Sequence, residues 1–260
     1  PFGAGVLVLL LRNLVTGRVA ALLGAAATAV SLFLYALVWE GRTEVSGEVD
    51  TAWIEPLGAR LHLGVTYISW PFLLMTALLG LLCCVWLVAE DGSPALIGLV
   101  LVITASAMGV FSSLDLLLFF VFFELALIPM WFVIAWWGDP HDPEGRRRAA
   151  TRFLLFTVTG SALLLVGIII VARDSQSLQI LEVDGAPLVA AVLIVLGFAV
   201  KTPLVPLHTW LPDAHSKAPT VGSVQLAGVF LKLGTYGLIV LGAQMLPDEF
   251  AQIAPYVACA

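Results

Sequence analysis

The sequence predicts an all-α, polytopic helical membrane protein with a broken transmembrane helix. Its 260 residues are 60% hydrophobic and only 12% charged, which lies outside the range of ordinary soluble domains. About eight apolar stretches are close to or above the ~20 residues that a helix needs to cross a bilayer. The longest of these stretches is interrupted by three interior prolines, which a straight helix does not accommodate.

The individual spans follow from these apolar stretches. In chain order they are 1–11, 20–39, 67–89, 94–112, 114–137, 150–172, 187–216 and 220–242, with a ninth beginning near 249. We expect a broken helix in 187–216, because the stretch is too long for one straight span and contains Pro203, Pro206 and Pro212. The chain starts at Pro1 and stops within an apolar stretch, so we interpret it as a fragment.

The charges of the loops predict the orientation. Lysine and arginine near span ends favour the cytoplasmic side of a membrane. One set of alternate loops has only Arg42, Arg60 and Arg173, together with acidic loops such as 40–55, so we expect these loops and the amino terminus outside. The opposite, cytoplasmic set contains Arg12, Arg18, Arg146, Arg147, Arg148, Arg152 and Lys217.

Three further features of composition bear on the function and the location. The run of arginines at 146–148 could bind anionic lipid or a partner, but a topology anchor is the favoured interpretation. The three cysteines are unsuited to a disulfide framework, because Cys83 and Cys84 are adjacent and Cys259 is isolated. Arginine outnumbers lysine, which is associated with GC-rich bacterial genomes, so we expect a bacterial plasma (inner) membrane.

Three ionisable residues lie in the middle of predicted spans: Glu124, Lys201 and Lys232. An unpaired charge at this depth costs several kcal/mol, so such a residue is a functional candidate. It is tolerated if it faces a protein interior or a water-filled cavity, pairs with another charge, or changes its protonation state. The three together predict a route for protons through the membrane.

Structural roles stay open beside this functional interpretation. Glu124 could belong to a purely structural ion pair, and Lys201 could reach an interface beside a proline kink made for packing. His208 is a candidate relay because histidine exchanges protons readily near neutral pH. The two histidines of this segment lack a third ligand nearby in the sequence, which disfavours a metal site. Three further residues are interpreted as either relay or structural residues: His215, Asp213 and Asp115.

Several motifs resemble the antiporter-like membrane subunits of NADH-quinone oxidoreductase, respiratory complex I, and those of the subunit M (chain 4) family most closely. The resemblance covers most of residues 94–242. It rests on Lys201-Thr-Pro-Leu-Val-Pro206, His208-Thr-Trp-Leu-Pro-Asp-Ala-His215, Ala218-Pro-Thr220, Leu231-Lys-Leu-Gly-Thr-Tyr-Gly237, Asp115 to Pro129, and Gly160-Ser161. One departure is Gly64-Val-Thr-Tyr-Ile-Ser69, where the family usually has an aspartate.

The resemblance implies an architecture of inverted five-helix repeats, each with a broken helix. It divides the chain into 1–93 with the first three helices, 94–242 with the first repeat, and 243–260 with the start of the next helix. It implies that Glu124 pairs with Lys201 and that Lys232 and His208 pass protons onward. It also implies no cofactor in this chain; NADH, flavin, iron-sulfur clusters and quinone are expected in partner subunits.

The leading functional hypothesis is a proton-translocating membrane subunit driven by quinone reduction elsewhere in a complex. Its expected partners are neighbouring antiporter-like subunits, small membrane subunits and the lipid bilayer, with no nucleic acid. The alternatives are a subunit of a multisubunit sodium/proton antiporter or of a related membrane-bound hydrogenase. A structural scaffold whose buried charges have no function is the third possibility.

Overall fold

The computed structural model describes residues 1–38 and 44–259, and most of them are helical. By length and composition, six helices could cross a membrane. The predicted multi-pass helical class is therefore confirmed. The six are Gly17–Val38, Ser69–Ala89, Pro94–Ser112, Leu116–Trp137, Pro143–Ser175 and Thr220–Gln244.

The elements follow one another along the chain with short connections. The helices are α1 (Phe2–Leu10), α2 (Gly17–Val38), α3 (Ser69–Ala89), α4 (Pro94–Ser112), α5 (Leu116–Leu125), α6 (Leu127–Trp137), α7 (Pro143–Ser175), α8 (Leu188–Lys201), α9 (Leu211–Lys217), α10 (Thr220–Gln225), α11 (Leu231–Gly237) and α12 (Pro247–Ala258). Two π-helical segments, Leu226–Phe230 and Leu238–Gln244, flank α11.

A β-hairpin precedes α3, where the sequence analysis predicted only an acidic loop. Strands β1 (Val45–Ile54) and β2 (Ala59–Thr66) pair antiparallel. The chain turns between them through Gly58, whose φ of 67° lies in the region that glycine adopts without strain. The hairpin is a local β element that the sequence analysis did not predict, within the confirmed helical class. Residues 39–43 of the predicted acidic loop, including Arg42, lie outside the described residues.

The hairpin gives the bundle two distinguishable ends. It packs where α3 and α5 begin, since Leu114 N donates to the His62 carbonyl at 2.9 Å. This end is called the hairpin end. The opposite end contains Arg146–Arg148 and Lys217 and is called the basic end.

Glycines let α7 and α8 pack at very short range. A Cβ on Gly197 of α8 would lie 2.8 Å from the carbonyl oxygen of Gly160 on α7, too close for any other residue without a shift. Small residues permit this approach of helices in membranes. This contact fixes where Ser161, the neighbour of Gly160, lies along the length of α8. Helix α4 is the most buried of the six spans, since 83% of its most apolar stretch is buried.

The predicted broken helix is confirmed. Helix α8 ends at Lys201, residues 202–210 form turns, and α9 begins at Leu211. A second interruption was not predicted: Ala126 separates α5 from α6. Pro129 explains it, because proline has no N–H to donate to the carbonyl four residues earlier. Glu124 therefore lies next to an interruption, as Lys201 does.

Candidate functional site

Lys201 is buried at the point where α8 ends, with 2% of its surface exposed. Its Nζ lies 3.8 Å from the ring centroid of Phe123 and 5.0 Å from that of Phe230. The Phe123 carbonyl oxygen is 3.4 Å from the same nitrogen. Aromatic faces and a carbonyl oxygen attract an ammonium group. These contacts offset part of the cost of burying the Lys201 amine, and no carboxylate touches it directly among the described residues.

The backbone around the break finds new hydrogen-bond partners. Thr202 N donates to the Phe198 carbonyl at 2.7 Å, and Leu204 N donates to the Ala199 carbonyl at 2.9 Å. The carbonyl of Val200 accepts instead from Nε1 of Trp210, at 3.0 Å. A freed carbonyl at membrane depth needs such a partner. The break is therefore stabilised by a side chain from its own turn region.

Gly234 of α11 brings the break against the next helix. A Cβ on Gly234 would lie 2.4 Å from Thr202 Oγ1 and 2.8 Å from Thr202 N. No side chain fits there without moving backbone. The end of α8 and the middle of α11 are consequently held in direct contact.

Glu124 is half-buried in the last turn of α5. Its Oε1 forms a short hydrogen bond with the hydroxyl of Ser161 on α7. Among the described residues, no ion pair within 4.0 Å joins Glu124 to Lys201. The direct pair implied by the resemblance is therefore absent from this structure. Phe123 and Ser161 occupy the neighbouring contacts instead.

Ser161 can serve either protonation state of Glu124. Its hydroxyl also lies 2.9 Å from the Thr157 carbonyl oxygen, and it has a single hydrogen to donate. A charged Glu124 accepts that hydrogen. A protonated Glu124 can donate its own to Ser161 Oγ, which then donates to Thr157. This serine supports proton exchange at Glu124 without a change of partner.

Lys232 is half-buried on α11, between the two π-helical segments. Gly228, one turn earlier, faces α3, since a Cβ there would lie 2.3 Å from Leu79 Cδ1. Gly234 faces the α8 break, and residues two apart in a helix point to nearly opposite sides. Lys232 is thus on the side of its helix turned toward α3, away from Thr202. Lys201 and Lys232 therefore lie on different sides of α11.

The three remaining predicted residues of this region have different surroundings. His208 is partly buried, and its Nδ1 has no hydrogen-bond partner in the described part of the chain. Asp213 forms an ion pair with Arg152 at 2.6 Å. His215 contributes its backbone carbonyl, which accepts from Ser223 Oγ at 3.3 Å. His208 retains a free nitrogen for a relay, whereas Asp213 has a structural partner.

Asp115 has a complete set of structural partners at the hairpin end. It is fully buried and accepts hydrogen bonds from Leu118 N at 2.9 Å, Arg60 N at 3.1 Å and Gln179 Nε2 at 2.9 Å. It caps α5 and connects it to β2 and to the loop after α7. This geometry favours the structural interpretation of Asp115.

Several residues that shape the site were not assigned a role from the sequence. Ser161, Trp210 and the two phenylalanines around Lys201 are common residue types in membrane helices, and their roles depend on contacts between distant segments. A sequence signal exists only for Ser161, which follows a glycine in the middle of an apolar span. Over the described residues, no group of three His, Cys, Asp or Glu side chains could hold a metal ion.

The fold is multi-pass and helical, one helix is broken, and ionisable side chains lie inside apolar spans. These features place the chain in the class of membrane proteins with an internal polar site. The chain matches the family described as NADH:quinone oxidoreductase/Mrp antiporter, transmembrane, over residues 113–259. It belongs to this family. The matched region includes Glu124, Lys201, His208 and Lys232.

Curated relatives agree with this family. The chain is 40% identical over 248 residues to NAD(P)H-quinone oxidoreductase chain 4 1 of Picosynechococcus sp., covering 90% of this chain and 45% of the relative. It is 37% identical over 230 residues to NADH-quinone oxidoreductase subunit M of Escherichia coli, covering 83% of this chain and 45% of the relative. The chain therefore spans somewhat less than half the length of the curated relatives it matches.

Solved structures share the fold. A chain of respiratory complex I from Thermus thermophilus superposes with a TM-score of 0.83 at 26% identity, covering 98% of this chain and 54% of that chain. A chain of the Mrp complex from Dietzia sp. superposes with a TM-score of 0.81, also at 26% identity, covering 95% of this chain and 28% of that chain. The fold is thus that of the antiporter-like membrane subunits.

Proposed function

We propose that this chain is part of a proton-translocating membrane subunit of NADH-quinone oxidoreductase, of the subunit M (chain 4) type. The relatives named as subunit M or chain 4 support this assignment. The observation that carries it is Lys201, a buried amine at a helix break with no carboxylate in direct contact among the described residues. Such an amine is suited to binding and releasing a proton.

In this proposal Glu124 and Lys201 act as an electrostatically coupled pair without a direct bond. Phe123 of α5 contacts the Lys201 amine, and Ser161 contacts the Glu124 carboxylate. A negative Glu124 favours a proton on Lys201, and a neutral Glu124 removes that support. Ser161 keeps Glu124 hydrogen-bonded in both states. Movement of the carboxylate toward or away from Lys201 would then change the affinity of the amine for protons.

His208 and Lys232 continue the route on either side of Lys201. The free Nδ1 of His208 can accept a proton or donate one, according to the tautomer of the ring. Lys232 receives protons on the side of α11 that faces α3. The site itself performs no redox chemistry in this proposal. Energy comes from quinone reduction in partner subunits through coupling between distant sites.

The proposal includes the setting of the protein. The chain contributes to a redox-driven translocase whose NADH, flavin, iron-sulfur and quinone sites belong to partner subunits. Other antiporter-like and small membrane subunits are its neighbours. It lies in a bacterial plasma membrane, with the basic end in the cytoplasm and the amino terminus outside. The positive-inside rule supports this orientation, because Arg146–Arg148 lie at the basic end.

The test uses the assembled complex with its full-length subunit in membrane vesicles. Lys201→Ala and Lys201→Arg are both expected to lower quinone reduction and proton uptake together, since arginine hardly releases its proton. Arg18→Ala, an exposed basic residue, serves as the control. Normal pumping by both Lys201 variants would overturn the proposal.

A sodium/proton antiporter subunit is the second candidate, favoured by the likeness to the Mrp complex chain. It predicts exchange of sodium for protons across vesicles under an imposed gradient, without any electron donor. Quinone-dependent proton uptake with no such exchange would reject this second function.

A further inference from the structure

Four polar side chains form a continuous series of hydrogen bonds at the hairpin end. His62 on β2 is buried, with Nδ1 2.6 Å from Gln179 Oε1 and Nε2 2.8 Å from Glu48 Oε1. Gln179, also buried, lies on the loop after α7, and its Nε2 is 2.9 Å from Asp115 Oδ2. These four residues, called the hairpin clamp, connect both strands of the hairpin to that loop and to the start of α5.

Asp115 fixes the orientation of the Gln179 amide. Its carboxylate also accepts from Leu118 N and Arg60 N, so it is the acceptor for three donors. A charged carboxylate has no hydrogen to donate, and the NH2 group of Gln179 therefore has to face it. This turns Oε1 of Gln179 toward His62. Because that oxygen can only accept, Nδ1 of His62 has to carry a hydrogen.

The other ring nitrogen of His62 also contacts an acceptor. Glu48 is exposed over 52% of its side chain, which keeps its charged form solvated. Nε2 therefore donates to a carboxylate, and both ring nitrogens carry a hydrogen at the same time. Moving the shared hydrogen onto Glu48 leaves the count unchanged. In either form the pair binds one proton that a neutral ring and a free carboxylate lack.

Two further carboxylates line the same cavity as His62, and both have other partners. Asp50 lies opposite His62 in the register of the hairpin and accepts from Arg60 at 2.6 and 2.8 Å. Glu182, on the loop after α7, accepts from a serine hydroxyl at 2.7 Å. Within the described ranges, Glu48 is therefore the carboxylate bonded to the ring of His62.

We propose that His62 and Glu48 bind a proton that fastens the hairpin to the bundle. When this proton leaves, a lone pair of the ring faces either Gln179 Oε1 or the Glu48 carboxylate, and one of the two hydrogen bonds becomes a repulsion. The closed clamp holds the proton and the open clamp releases it, so opening increases as the pH rises. The clamp does not depend on the proposed function.

The clamp makes the hairpin end sensitive to the pH of the solution around it. In the orientation proposed above, this is the outer side, to which protons are delivered. Protons that accumulate there would keep the hairpin fastened, whereas an alkaline outer solution would release it. The proton of the clamp is bound in place and regulates the hairpin; it is not passed on.

The experiment measures hydrogen-deuterium exchange of residues 45–66 in the assembled complex with its full-length subunit. The pH is varied from about 5 to 8, the range in which histidine changes its charge. After correction for the pH dependence of intrinsic exchange, opening of the hairpin is expected to increase by up to about tenfold per pH unit, the limit for one proton.

Glu48→Gln is the decisive variant, because it removes the need for the second ring hydrogen. A neutral His62 can donate from Nδ1 to Gln179 and accept at Nε2 from the new amide. The hairpin is therefore expected to stay fastened, with opening independent of pH. His141→Gln is the matched control, since His141 is exposed at the basic end, and it should keep the pH dependence of the wild type.

Two results would overturn the clamp: opening of the wild-type hairpin that is independent of pH, or an unchanged pH dependence in Glu48→Gln. The second result would assign the proton to another group. Neither result bears on the proposed function, which the Lys201 variants test by proton uptake. Failure of those variants to impair pumping would in turn leave the clamp standing.

Discussion

The indole of Trp210 and the carbonyl of Val200 are joined by a hydrogen bond of 3.0 Å across the broken helix. Val200 directly precedes Lys201, and Trp210 is fully buried against Phe153, with ring centroids 5.3 Å apart. One side chain thus anchors the turn region to α7 and provides the donor for the carbonyl at the open end of α8. The position of Lys201 depends on this contact.

Trp210→Phe is expected to destabilise the protein, because it keeps an aromatic ring but leaves the Val200 carbonyl unpaired. The loss of one partner of a buried hydrogen bond costs about 1–3 kcal/mol. The measurement is the thermal unfolding midpoint of the purified protein in detergent. Trp136→Phe is the control, since Trp136 is exposed on α6. Equal midpoints for the two variants would contradict the assigned role of Trp210.

Ser161→Ala is expected to reduce proton uptake several-fold, because Glu124 loses the hydroxyl that serves both of its protonation states. Thr159→Val is the matched control: Thr159 is exposed on the same helix, and its hydroxyl donates to the Leu155 carbonyl at 2.8 Å. The measurement is uptake by vesicles with equal amounts of assembled complex. Wild-type uptake in Ser161→Ala would show that Glu124 does not need this partner.

Asp115→Ala is expected to loosen the hairpin end. Three donors, Leu118 N, Arg60 N and Gln179 Nε2, lose their acceptor in a fully buried position. Each buried donor left without a partner costs about 1–3 kcal/mol. Limited proteolysis should then cut the hairpin faster than in the wild type. The exposed Asp174, changed to alanine, is the control; equal cleavage rates in both variants would argue against the cap.

Lys217 predicts a pH-dependent contribution to stability at the basic end. It lies 2.9 Å from carboxylate oxygens of both Asp139 and Asp142. Its hydrogen bonds hold the pKa of each carboxyl below the ordinary value of 3.8, and the two carboxyls raise the pKa of Lys217 above 10.5. The carboxyl contribution is present above pH 3.8 and is lost as the pH falls through the lowered pKa. The lysine contribution is present below pH 10.5 and is lost as the pH rises through the raised pKa.

Lys217→Met should therefore unfold at a lower temperature than the wild type at neutral pH. The difference should shrink when the pH falls below about 4, as the carboxyls become protonated. Unfolding in detergent as a function of pH measures it, with the exposed Arg18→Met as control. A difference that stays constant down to acidic pH would exclude the ion pairs as its cause.

The spans and the broken helix could be predicted because their signals are local. Apolar length indicates a span, and Pro203, Pro206 and Pro212 interrupt one wherever it packs. Lys201 was recognisable for the same reason, as a charge in an apolar stretch. The hairpin was not predicted, because a polar segment of this length between two spans indicates a loop as long as its pairing partner is unknown.

The contacts of the site could not be predicted from the sequence. Whether Glu124 bonds to Lys201 or to Ser161 depends on how α5, α7 and α8 are arranged, and that arrangement is set by glycines such as Gly160 and Gly197 that pack across helices. The side of α11 to which Lys232 points likewise depends on the π-helical segment before it. That segment rotates the residues that follow it about the helix axis, and it contains no proline that would indicate it in the sequence.

The two π-helical segments on either side of α11 give that helix an adjustable phase. In a π-helical turn the hydrogen bond spans five residues instead of four, so the turn is wider and contains an extra residue. If one residue passed from the segment before α11 to the segment after it, the seven residues between them would rotate by about 100° while both ends stayed in place. Lys232 would then move from the α3 side of its helix toward another neighbour, and Gly234 would have to leave its close contact with Thr202.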